Sequence, residues 1–160
     1  MNAKMSEVRR AFEDAGFTDV KTLLASGNVV FTANSAPAAR LQAEAEAAME
    51  ERLGRSFLTF VRPVNGLRTL LESNPYKGFA PAAGAKRIAT FLRDTPDKRL
   101  VLPIEEQGAR ILTLKGGVAF GDYVPDPKAG PFFMALLEKT FGKAQTTRTW
   151  QTLERVAASD

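Results

Sequence analysis

The sequence predicts an α+β protein built from two α/β halves. Two strand-like runs flank a Gly-Asn turn early in the chain, and two more flank a Gly-Gly turn late in it. Between these hairpins lie segments with apolar residues at spacings of three and four, several of them closed by glycine. The alternation between a period of two and a period near 3.6 separates strand from helix. At 160 residues, with 44% hydrophobic and 25% charged, the chain has an ordinary globular composition. A chain of this length buries about 70% of its unfolded surface, enough for a core.

Residues 5–15 place Met5, Val8, Phe12 and Ala15 on one helical face, and Gly16 supplies the stop. Strands 20–25 and 29–33 surround Ser26-Gly27-Asn28, a tight turn because Gly and Asn tolerate positive φ. A second helix follows with Ser35 as N-cap and Pro37 in its first turn. Its buried stripe is Leu41, Ala45, Ala48, Met49 and Leu53, and Gly54 ends it. Glu44, Glu46, Glu50 and Glu51 read as its solvated side. The β-rich run 57–61 predicts a strand, and Asn65 caps a short helix with Leu67, Leu70 and Leu71 inward. Residues 75–86 hold two Pro, two Gly and no apolar period, so they read as a linker between subdomains 1–74 and 87–160.

The second half opens with strand 87–92 and a Pro- and charge-bearing stretch to about residue 106 with room for a helix. Strands 111–114 and 118–120 flank Lys115-Gly116-Gly117, a second hairpin signal. Pro131 begins a helix carrying Phe133, Leu136, Leu137 and Phe141 to the stop at Gly142. Residues 146–150 read as extended, and a last helix turns Leu153, Val156 and Ala157 inward. This half has the split β-α-β, ferredoxin-like order plus a terminal helix. The first half matches it if a leading strand is missing.

Two absences restrict the chemistry. Without cysteine there is no disulfide, thiol nucleophile, iron–sulfur cluster or Cys-ligated zinc. Without histidine the commonest general base and transition-metal ligand is gone, and Ser-His-Asp and Cys-His machinery with it. No cofactor and no metal site is expected. No apolar run approaches the 18 residues of a membrane span, and the N-terminus leads straight into a charged amphipathic segment. The chain therefore reads as cytoplasmic, with no membrane partner. A net charge of +4 adds a mild attraction for polyanions.

Helix 5–15, Gly-Phe-Thr-Asp-Val at 16–20 and Ala-Ser-Gly-Asn-Val-Val-Phe at 25–31 resemble the front of a bacterial family, domain of unknown function 1697. Thr146-Thr147-Arg148-Thr149-Trp150-Gln151-Thr152 is similar to that family's C-terminal signature, in which Asn commonly follows the Arg. The resemblance implies a bacterial protein of tandem ferredoxin-like architecture and implies no activity. Family members begin with an apolar strand and a Gly-rich turn, and this chain starts where that turn ends. Its first half is therefore expected to lack the leading strand. The resulting open edge would be closed by direct pairing of 29–33 with 57–61, by residues 1–4, or by a second molecule in a homo-oligomer. The basic turn common before the penultimate helix keeps only Lys128 here.

Six residues stand out as ligand-binding candidates. Arg148 pairs well with a phosphate or carboxylate, Thr147 offers a hydroxyl, and Trp150 offers a stacking face. Lys128, Ser26 and Asn28 sit in turns that would present a cation or polar groups to an anion. Four of them have a structural counterpart: turn chemistry for Ser26 and Asn28, core packing for Trp150, an ion pair for Arg148. Two function classes follow. One is a non-catalytic binding module for an anionic small molecule or nucleic acid. The other is a small-molecule enzyme working without His or Cys in a cleft between subdomains.

Overall fold

A computed structural model describes residues 2–24, 27–128 and 132–159. The protein is α+β, with five helices and two antiparallel sheets among the described residues. The chain divides into two compact units, Met1–Val64 with Ala158–Asp160 and Asn65–Ala157.

The first unit runs α1 (Met5–Asp14), β1 (Thr18–Leu23), β2 (Asn28–Thr32) and α2 (Ala38–Leu53). Its core joins Val8, Ala11 and Phe12 of α1 to Ala45 and Met49 of α2, with Phe17 and Val20 beneath. Phe17 stacks on Phe31 at 4.5 Å between ring centroids, and Phe12 leans against both. Arg52 of α2 clasps α1 from outside, donating to Glu7 Oε2 at 2.9 Å and Asp14 Oδ2 at 2.7 Å. The hairpin forms as expected, although Ala25 and Ser26 lie outside the described residues. Pro37, not Ser35, occupies the N-cap of α2, because the residue before a proline resists helical backbone.

Residues 57–61 form no strand, contrary to expectation, and β2 pairs only with β1 among the described residues. The segment's backbone amides donate to side chains of α2 instead of to a ladder. Thr59 N donates to Glu46 Oε1 at 2.9 Å, and Val61 N donates to Gln42 Oε1 at 3.0 Å. Backbone donors need partners of some kind, and here side chains supply them. Glu46 is therefore a half-buried acceptor and not part of the solvated face.

The second unit comprises α3 (Val64–Glu72), β3 (Lys86–Leu92), β4 (Ile104–Glu106), β5 (Ala109–Lys115), β6 (Val118–Tyr123), α4 (Phe133–Phe141), β7 (Gln145–Thr149) and α5 (Trp150–Ala157), less Val64. Asn65 lies inside α3 rather than capping it, and its Oδ1 accepts from Arg68. The strands form one sheet in the order β4-β5-β6-β3-β7, every neighbouring pair antiparallel. No helix occupies 93–103; Asp97 there folds the chain by accepting from Arg99 N at 2.9 Å. The unexpected β4 joins β5 through Gln107-Gly108, both at positive φ, as a two-residue hairpin loop requires.

One sheet face packs Ile88, Ala109, Ile111 and Ala119 against Leu136 and Leu137 of α4. The other carries Phe120, Tyr76 and Trp150 in edge-to-face contact at 5.5 to 6.4 Å. Pro75 and Tyr76, within the segment expected to link subdomains, are buried in this unit. The Tyr76 hydroxyl lies 2.8 Å from both the Ile88 and the Gly121 carbonyl oxygens, sharing its proton between them. Arg87 stands 4.4 Å over the Tyr76 ring, and Arg110 forms a bidentate pair with buried Asp122. Burial pushes the Tyr76 phenol well above its ordinary value, because the phenolate would lose its hydration.

Candidate anion-binding groove

Gly142, at φ 81°, ends α4 and lets the chain turn back into β7, where Thr146, Thr147 and Thr149 favour extended backbone. β7 stops at Thr149 and not at Trp150, because the Thr149 hydroxyl caps the next helix. Its Oγ1 accepts from Thr152 N at 3.2 Å, which places Trp150 in the first turn of α5.

A groove of about 310 Å³ lies between α4 and β7. Phe133, Met134 and Glu138 form its helical wall, Ile88 and Tyr123 its floor, and Lys143 with all five residues of β7 its far side. Tyr123 and Phe133 stack at 4.2 Å. Gln145, Thr147 and Thr90 form a relay: Thr147 Oγ1 donates to Gln145 Oε1 at 3.3 Å, so Thr90 donates the 2.8 Å bond that joins the two hydroxyls. Arg148 is half-buried, and its guanidinium donates to Thr146 Oγ1 at 2.8 Å and to the Thr147 carbonyl at 2.9 Å. Burial lowers the Arg148 pKa from its ordinary value, since the cation is partly stripped of water.

Of the residues singled out from sequence, Arg148 and Thr147 line this groove. Trp150 does not; its indole meets Tyr76 and Phe120 on the opposite sheet face. Lys128 is exposed in a turn where its amide donates to Asp126 Oδ1 at 2.8 Å. Asn28 is buried at the start of β2 and donates across the hairpin to the Leu23 carbonyl at 3.1 Å. Ser26 lies outside the described residues. Tyr123, Phe133, Glu138, Lys143 and Gln145 also line the groove, without any local motif to announce them.

Among the described residues, no cluster of three or more acidic side chains is arranged to hold a metal ion, and no helix is long and apolar enough to cross a membrane. No curated protein and no solved structure matches the chain. The family described as a protein of unknown function (DUF1697) matches residues 1–120 of the 160, a span that ends in β6 ahead of the groove's strand, and the chain belongs to that family.

Proposed function

We propose that this protein is a non-catalytic binding module for an anionic ligand, and that the ligand sits between α4 and β7. One observation carries the reading: Lys143 and Arg148 line one groove of about 310 Å³ together with Thr146, Thr147 and Thr149. A partly dehydrated guanidinium gains more from an anion than a solvated one does, and the Lys143 ammonium adds a second cation. The volume suits a small molecule or one nucleotide of a longer strand. Within the same reading the protein is bacterial and cytoplasmic, its architecture a variant of two ferredoxin-like halves. The order β7-β3-β6-β5 with antiparallel neighbours supports this for the second half.

The test is calorimetric titration of the full chain with inorganic phosphate, pyrophosphate, nucleoside monophosphates and a single-stranded oligonucleotide. The expected result is binding that weakens as salt rises and falls at least tenfold in Arg148→Gln with Lys143→Ala. Binding unchanged by those substitutions refutes the groove. Conversion of a titrated metabolite to product would favour the enzyme reading.

A further inference from the structure

The groove's lining shows a feature that a cleft on one sheet face lacks. Successive side chains of a strand point to opposite faces, so such a cleft touches alternate residues. This one touches Gln145, Thr146, Thr147, Arg148 and Thr149 in succession. It therefore runs along the backbone edge of β7, the last strand of the sheet.

The ladder fixes which backbone groups line that edge. Arg93 N donates to Ala144 O at 3.0 Å, one step beyond the pairing of Leu92 with Gln145. Hydrogen-bonded pairs alternate in an antiparallel ladder, so residues 144, 146 and 148 turn their N–H and C=O groups to β3. Leu92 N donates to Gly117 O at 3.0 Å on the other side of β3, which confirms the alternation. Gln145, Thr147 and Thr149 consequently turn theirs outward. The Gln145 amide folds back to Lys143 O at 2.9 Å, and the Thr147 carbonyl accepts from Arg148. The amides of Thr147 and Thr149 point into the groove.

We propose that the groove takes an extended acidic peptide as a sixth strand of this sheet, paired with β7. The inference rests on the anion-binding reading above and names the ligand's class. Main-chain bonds to Thr147 and Thr149 supply affinity, and alternate side chains supply specificity. On one face they meet the apolar surface of Ile88, Phe133 and Met134. On the other they meet Arg148, which lies on the face opposite Thr147 and Thr149. Arg148 at present covers the Thr147 carbonyl. An arriving peptide amide replaces it there, so the Thr147 carbonyl keeps a donor as the guanidinium turns to the peptide's carboxylate.

The experiment uses the full chain and an acetylated pentapeptide of alternating valine and aspartate, beside its fully N-methylated counterpart. The two carry the same charge, and only the first donates backbone bonds. The first is expected to bind at least tenfold more tightly, and to slow hydrogen exchange at the Thr147 and Thr149 amides. Thr147→Pro removes an outward amide, which an edge strand tolerates, and is expected to abolish binding with the fold intact. Unfolding of that variant would show that the amide faces β3 and would overturn the proposal. Equal binding of both peptides, or binding of phosphate or oligonucleotide but neither peptide, overturns strand addition and leaves anion binding standing. Failure of every probe removes both.

Discussion

Replacing Tyr76 with phenylalanine tests the polar interior of the second unit, because one deleted atom touches two strands. The lost hydroxyl bonds to the Ile88 and Gly121 carbonyls. Those residues are directly opposed in the β3–β6 ladder and, by the alternation that Leu92 sets, exchange both backbone bonds. Each carbonyl therefore keeps its ladder amide when the hydroxyl goes, and no buried acceptor is orphaned. The cost should be about 1 kcal/mol, a net hydrogen bond, and not the larger penalty of an unsatisfied group. Tyr76→Ala removes the ring between Phe120 and Trp150 as well, at roughly 3–5 kcal/mol. Urea unfolding followed by Trp150 fluorescence reports both values. The pH dependence gives a second reading. The folded phenol titrates above the unfolded one, near 10.0, so its stabilisation is complete below that pH and is lost as pH rises toward the folded pKa. That loss is about 1.4 kcal/mol per pH unit. Wild type should thus lose its advantage of about 1 kcal/mol over Tyr76→Phe within about one pH unit above the unfolded value, and then fall below it. Parallel stability curves through that range, or equal costs for Phe and Ala, would refute the argument.

Gly121→Ala should cost roughly 1–3 kcal/mol in the same assay, because a Cβ there runs into the Arg110 carbonyl of the neighbouring strand. Asp122→Asn leaves Arg110 without its carboxylate in a nearly buried pair, with side chains 19% and 5% exposed, and should cost roughly 3 kcal/mol. Thr149→Ala removes the cap of α5 and should lower stability by about 1 kcal/mol, with lost helicity confined to that element in hydrogen exchange. Arg52→Met should lower the melting temperature slightly at low salt and scarcely at 1 M, where screening over about 3 Å has already weakened its pairs with Glu7 and Asp14.

Elements with a local signature were legible from sequence. The turn around Gly27 and Asn28, the Lys115-Gly116-Gly117 hairpin and helices ending at Gly54 and Gly142 each carry their own signal. Segment 57–61 has strand composition, but composition records fit to a pleated surface and does not reveal whether a neighbouring strand is present. β4 escaped because Gln107-Gly108 lacks the Asn or Asp that usually advertises a two-residue turn. Arg148 and Thr147 could be singled out as chemically able residues. Glu138, Lys143, Tyr123 and Phe133 join them only because β3 pairs with a strand more than fifty residues away, bringing α4 alongside. Trp150 was misplaced for a smaller reason: one threonine hydroxyl converts the end of a strand into the start of a helix.

Helix α2 serves residues 59–61 as a ruler. Gln42 and Glu46 are one helical turn apart, about 6.0 Å along the axis. Thr59 and Val61 are two residues apart in extended chain, about 6.6 Å. The two spacings are nearly commensurate, so acceptors on a helix can meet alternate amides as a strand would. The mismatch grows with each repeat, which limits such a match to a few rungs. The next rung would set Ala38 against Pro63, an acceptorless side chain opposite a residue with no amide hydrogen, and there the correspondence stops.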